Sequence, residues 1–272
     1  MTTKLNNHRN MRVSNGVKLG ALCVATAIIG ACSTKEAPGP LEPTGPTGRV
    51  RLVNVITDAT RGRVNVSLEG IVFTVDLQYG QAAPANLPAP ATAPYAAVYT
   101  GDRSFVLKRT ADTTVTVATL PFAVADGQDR TVYAIGGVGG SAVTSSITTD
   151  DNPAPTATET RVRIVNMSPT AGAVDVFITA IGADLATSTP RVSGLAYQAA
   201  SAYLSIAPGP YQIRAVPAGT APANRAAQVT INLVSNVAPL PLAFAAGTAR
   251  TVVLADSNVG GAPLRAIVIS DR

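Results

Sequence analysis

Three residue types that carry much of enzyme chemistry are scarce in this 272-residue sequence, which holds one His, two Cys and no Trp. His8, Cys23 and Cys32 all fall within the first 32 positions. From residue 33 onward no imidazole or thiol can act as nucleophile, base or metal ligand. That excludes Ser-His-Asp and Cys-His catalysis, zinc sites built on those groups, and disulfides from this part of the chain. Charged residues make up 14% and aromatic residues 4% of the sequence. A carboxylate pair is the one common hydrolytic device such a composition readily allows, and it would work without the tryptophan platforms that usually hold sugars.

What is present at the start is a secretion pattern. Lys4, Arg9, Arg12 and Lys18, with no acid among them, precede an apolar run from Leu19 to Ala31. The run falls short of the roughly 20 apolar residues that span a bilayer and has the length of a signal-peptide core. It ends in Ile29-Gly30-Ala31-Cys32, which resembles the lipobox of bacterial lipoproteins, with Ile29 where Leu is usual and Gly30 where Ala or Ser is usual. The resemblance implies cleavage between Ala31 and Cys32 and acylation of Cys32 with diacylglyceryl and palmitoyl chains. The alternatives are an uncleaved anchor helix or a signal cut elsewhere. At about 0.8 kcal/mol per buried CH₂, three acyl chains amount to permanent attachment. Cleavage would remove four of the 21 basic residues and none of the 16 acids, leaving 17 against 16 and a formal charge of +1 instead of +5. The remaining basic residues are scattered rather than gathered in a stripe, so the expected partner is a membrane through Cys32 and not nucleic acid.

Behind the cysteine, residues 32–48 read as a flexible tether with four prolines and three glycines after Cys32. Folded sequence begins with Arg49-Val50-Arg51-Leu52-Val53-Asn54, whose alternation predicts a strand with one face on a core. The pattern returns as Arg161-Val162-Arg163-Ile164-Val165-Asn166. Further matches follow in the same order: Val64–Leu68 with Val174–Ile178, Gly127–Val132 with Gly247–Val252, and Val138-Gly139-Gly140 with Val259-Gly260-Gly261. Two copies of one domain are therefore expected, 49–151 and 161–272, joined by a polar, proline-punctuated linker at 152–160. Short β-branched segments bounded by turn residues predict seven or eight strands per copy, little helix, and an all-β fold of two tandem immunoglobulin-like β-sandwich domains. Ala207-Pro208-Gly209-Pro210 predicts a type II turn closing a hairpin between Tyr203–Ile206 and Tyr211–Val216.

RVRIVNMSPTAGAVDV at Arg161–Val176, the later PGPYQIRAVPAG and the closing GTARTVV resemble a bacterial domain of unknown function, number 4397. The Ser168-Pro169 turn and the Val174-Asp175-Val176 strand carry the likeness, whereas Met167 stands where a His is common and the first copy has Ile56-Thr57 in place of Ser-Pro. The resemblance implies an all-β, secreted or lipid-anchored protein with tandem domains, and it implies no activity or catalytic residue.

Candidate chemistry is thin. Ile135–Ser141 is dense in glycine, but a strand-like sequence follows it where a phosphate loop needs a helix N-terminus, so a hairpin or bulge is expected. Asp150 and Asp151, with Asn152, Asp126 and Asp129, could supply oxygen ligands to Ca²⁺, yet they lack the spaced pattern of a calcium loop. Arg130 and Arg250 precede Thr-Val in both copies and read as outward arginines that keep a strand soluble. The uncharged, proline-rich stretch Gly80–Pro94 is the candidate contact loop. The expected function is a non-catalytic binding, adhesion or scaffolding module without cofactor. It would be lipid-anchored in the bacterial cell envelope, with Ser33 compatible with outer-membrane sorting, and would present its loops to an envelope protein or glycan. The alternative is an envelope carbohydrate-active hydrolase using a carboxylate pair.

Overall fold

The computed structural model describes residues 45–84, 87–88, 95–152, 154–234 and 244–271. The proposed signal, Cys32, the tether up to residue 44 and much of the proline-rich stretch lie outside the described residues. All described residues belong to the compact unit Pro40–Arg272.

The fold is all-β. Its first half contains β1 (Thr47–Ile56), β2 (Val64–Leu68), β3 (Ile71–Leu77), β4 (Gln81–Ala83), β5 (Leu87–Pro88), β6 (Ala96–Tyr99), β7 (Gly101–Arg109), β8 (Asp112–Val124), β9 (Asp129–Gly136) and β10 (Val143–Thr149). One sheet runs β10-β9-β1-β4-β5, with β6 also on β1, and the other runs β3-β2-β7-β8. The second half contains β11 (Thr160–Asn166), β12 (Val174–Thr179), β13 (Val192–Leu195), β14 (Leu204–Ile206), β15 (Gln212–Pro217), β16 (Ile231–Val234), β17 (Ala249–Ala255) and β18 (Arg265–Ser270). Its sheets run β14-β11-β17-β18 and β13-β12-β15-β16, the same arrangement as in the first half. In both, the opening strand lies parallel to the penultimate one: Arg49–Ile56 against Asp129–Gly136, and Arg161–Asn166 against Ala249–Leu254. Each half is an immunoglobulin-like sandwich with its own apolar core, the first including Leu52, Phe105 and Leu120, the second Ile164, Ile213 and Phe244.

A third core joins them. Val53, Val55, Tyr133 and Ile135 from the sheet containing β1 pack on Val165, Met167, Val253, Ala255, Ile267 and Ile269 from the sheet containing β11. The opening strands are therefore buried on both faces, which corrects the expectation of one face on a core. Alternation puts Val50, Leu52 and Ile56 into the first sandwich and Arg51, Val53 and Val55 against the second. Arg51 and Arg163 look like solvent-facing residues of amphipathic strands, but their relative exposures are 0% and 3%.

The repeated Asn at the end of each opening motif has a structural task. Asn54 Nδ2 donates to the carbonyls of Gly62 (2.7 Å) and Leu77 (3.0 Å), and its Oδ1 accepts from Ile56 N–H (3.0 Å). Asn166 does the same with Gly172 O, Leu195 O and Ser168 N–H. Each amide thus ties the inner sheet to the turn and the edge strand across the sandwich, satisfying backbone groups that could not reach water.

Three further expectations are corrected. Ala207–Pro210 does not close a hairpin: β14 pairs with β11, while β15 pairs with β12 and β16, so the turn crosses from one sheet to the other. Pro208 and Pro210 bring no N–H to a ladder, and Gly209 N–H bonds Phe244 O at φ +156°, far from the roughly +80° of a type II turn. The stretch beginning at Gly80 opens as β4, whose Ala82 and Ala83 are buried against β1, so its start is framework rather than contact loop. Arg250 is buried near the start of β17 on the face carrying Val252 and Leu254 and bonds Ser270 Oγ at 2.7 Å, so it does not project outward. The glycine-dense stretch is the expected hairpin: β9 and β10 pair directly, and a Cβ on Gly136 (φ +88°) would lie 2.6 Å from Ala142 O.

Candidate functional site

The parallel ladders set Arg51 beside Thr131 and Arg163 beside Thr251. Each arginine then reaches across to the other sandwich. Arg51 pairs with Asp271 at 2.6 Å, and Arg163 with Asp150 at 2.6 Å. Both carboxylates follow the closing strand of their own half, so each sandwich gives one cation and one anion to the joint. Arg51 Nε donates to Thr131 Oγ1 at 2.8 Å, and Arg163 Nε to Thr251 Oγ1 at 3.2 Å. Thr131 in turn donates to Asp150, and Thr251 to Asp271 at 2.8 Å. The Arg51 guanidinium lies 4.5 Å over the Tyr95 ring and that of Arg163 lies 4.9 Å over Tyr203, with the phenols donating to Asp150 and Asp271.

Burial opposes the charge on both arginines, but Asp271 beside Arg51, and Tyr133 and Asp150 beside Arg163, raise both above the ordinary arginine value. Burial raises the Asp150 carboxyl, yet Arg163, Arg51 and the hydroxyls of Thr131 and Thr148 hold it below the usual range. Tyr133 is fully buried among these groups, its phenol is pushed up to about 12 by desolvation, and its Oη has no hydrogen-bond partner among the described residues. Each of the two buried arginines faces a carboxylate of the other sandwich, so the pairs hold the joint together.

This is also where the calcium candidates lie. Strand register brings Asp129, Asp150, Asp151 and Asn152 to one shallow depression. However, Asp150 is engaged by Arg163, Thr131, Thr148 and Tyr95, and Asp129 by Arg49. Among the described residues no group of three or more His, Cys, Asp or Glu could hold a metal ion. Asn152 bonds Tyr95, Asp129 and Tyr203, so the linker begins as part of the joint. Arg51, Arg163, Asp271, Tyr95 and Tyr203 were not singled out by sequence reasoning. The signal that could have found them is the repeat itself, which aligns Arg51 with Arg163 and Asp150 with Asp271.

At the apolar end of the joint the two sandwiches leave a cleft of two adjoining depressions, about 620 and 330 Å³, which share Gln78, Tyr79 and Arg265. Tyr79 crosses the joint: its hydroxyl donates to the Asp256 carbonyl and its phenol is pushed up to about 12, chiefly by burial. The flanking carboxylates are occupied, Asp58 by Arg61 and Asp76 by Arg63, each at 2.6 Å. No helix among the described residues is long and apolar enough to cross a membrane.

Fold and site together define an all-β protein made of two immunoglobulin-like sandwiches joined back to back through a closed ionic and apolar seam. Residues 48–177 match a family described as Domain of unknown function (DUF4397), a span running through the first sandwich into β12. No curated protein matches the chain. Among solved structures, a leucine-rich repeat protein from Bacteroides thetaiotaomicron VPI-5482 aligns at 11% identity over 70% of this chain and 23% of that one, with a TM-score of 0.15. The chain thus spans about a quarter of that protein's length.

Proposed function

We propose that the chain is a non-catalytic binding or scaffolding module of the bacterial envelope, anchored by lipid on Cys32 and built from two copies of the DUF4397 domain. The observation that supports it best is the closure of the buried ionic cluster. Arg51, Arg163, Asp150 and Asp271 meet pairwise across the joint, which suits a framework role for these four charges. The opening strands hold the seam, and the loops and the cleft between the sandwiches are the surfaces left to meet a partner.

The test has two parts. Cys32→Ala is expected to abolish palmitate labelling and to move the protein out of the outer-membrane fraction. Retention of both label and fractionation would overturn the anchor. Affinity capture from the native envelope is expected to return a reproducible protein or glycan, and turnover of an envelope polysaccharide by the purified chain would overturn the non-catalytic reading.

A further inference from the structure

The two sheets that meet at the joint end on equivalent edge strands, β10 and β18, each hydrogen-bonded to a single neighbour. The phase of the ladder decides which peptide groups are left over. Asp271 N–H donates to Ala249 O at 2.9 Å, so these two residues form a bonded pair, and in an antiparallel ladder bonded pairs alternate with open ones. Thr251 with Ile269 and Val253 with Ile267 are then bonded, while Ala266 and Val268 turn their N–H and C=O groups away from β17. Among the described residues nothing bonds to those outward groups. On β10 the outward groups meet water: the strand is rich in Ser and Thr, and Thr144, Ile147 and Thr149 are exposed. β18 differs, since it reads Arg265-Ala266-Ile267-Val268-Ile269-Ser270, is buried from Ile267 onward, and borders the larger depression of about 620 Å³.

We propose that this depression takes an extended, uncharged segment of a partner protein as an added strand on β18. The unpaired row offers donors and acceptors at strand spacing, and an extended main chain is the ligand whose own groups repeat at that spacing. One wall is Ile231–Leu233 of β16, and the other is Gln78–Gln81 at the entry to β4. Val268 points into the core of the second sandwich and Ile267 into the core between the sandwiches, so an added strand would alternate its side chains between the same two sides. β-Branched apolar residues suit the side of Ile231 and Leu233, which are both buried, and hydroxyl residues suit the side of Gln78, Tyr79 and Gln81. Arg265, at the start of β18, is the one charged residue in that lining among the described residues, so a segment with charges along its length would be desolvated without countercharges. The site exists only in the joined protein, because its walls come from both sandwiches. It rests on the reading of the chain as a binding module.

The probe is the peptide acetyl-KTVTVTK-amide, whose end lysines serve solubility, titrated against the full chain in detergent and followed by amide hydrogen exchange. In the free chain the amides of Ile267 and Ile269 are expected to be protected and those of Ala266 and Val268 open, and the peptide should slow the open pair. N-methylation of alternate peptide amides gives two versions, each blocked along one edge; one should bind about tenfold or more weakly and the other as the parent does. Ala266→Pro removes an outward N–H from an edge strand, where proline is tolerated, and should weaken binding with little change in melting temperature. Amides of Ala266 and Val268 that the peptide does not slow, or equal binding by the two methylated versions, would overturn the added strand. Protection of both amides in the free chain that is lost on dilution would overturn it too, because a second copy would then hold the edge. If the peptide fails while a glycan is captured from the envelope, this inference falls and the binding-module reading stands. Turnover of an envelope polysaccharide alongside peptide binding would overturn the non-catalytic reading and leave the strand site standing.

Discussion

Removing both charges of the buried pair should cost less than the two single removals added together. Arg51 and Asp271 both have side chains with 0% exposure and meet at 2.6 Å, so Arg51→Met strands a desolvated carboxylate and also discards the Nε bond to Thr131 and the contact over Tyr95. A broken buried pair of this kind costs about 3–5 kcal/mol. For a unit of this size each kcal/mol moves the melting temperature by about 2–4 °C, so a drop of about 10 °C is expected. Asp271→Asn alone removes the carboxylate that Arg51 meets at 2.6 Å and should cost a comparable amount. It keeps an amide oxygen to accept from Thr251 and Tyr203, which now donate to the Asp271 carboxylate. In Arg51→Met/Asp271→Asn no buried charge remains unpaired, and the double variant should be more stable than the sum of the single losses implies by about 2 kcal/mol or more. The assay is urea unfolding followed by near-ultraviolet tyrosine dichroism, suited to a chain with no Trp. Single losses below about 1 kcal/mol, or a double variant equal to the sum within about 0.5 kcal/mol, would refute the claim that the pair is desolvated and coupled.

Two other outcomes follow from the same seam. Tyr133→Phe removes a buried hydroxyl with no partner among the described residues, so the variant should be as stable as the parent or up to about 1–3 kcal/mol more stable. A clear loss on calorimetric melting would show that the hydroxyl is satisfied. Asp150 titrates below its unfolded value, so its contribution to stability is complete above about pH 4, fades as the pH falls through the folded pKa, and is absent below it. Melting temperatures taken from pH 7 to pH 2 should fall steeply at the acid end, and Asp150→Asn, less stable at neutrality, should flatten that fall; an equally steep curve in the variant would place the acid sensitivity elsewhere.

Strand order along the chain was legible because period-2 alternation and β-branched runs mark strands whatever they pack against. The alternating runs Arg49–Asn54 and Arg161–Asn166 fall within β1 and β11. What alternation cannot report is whether the second face of a strand meets water or another sheet, so Arg51 and Arg163 looked like ordinary surface residues. Arginine hides this ambiguity well, since the same side chain serves a solvated edge and a buried bidentate pair. The proline-glycine turn misled because a local motif specifies a change of direction and not which sheet the chain enters next. The cleft was invisible because residues such as Gln81 and Asn232, 151 positions apart, line one depression only in the folded chain.

The opening strand also has a mechanical consequence. In a chain held at its N-terminal side, load enters at Thr47 and runs down the axis of β1. That strand is gripped by β9 along Arg49–Ile56 on one side and by β6 and β4 on the other. Its ladder bonds lie across the pull, so they must give way together in shear instead of parting one by one as a hairpin unzips. The residues that begin the fold are thus placed where a tensioned tether would be resisted first, and the arginine pinned beneath the neighbouring sandwich adds a bolt through the clamp.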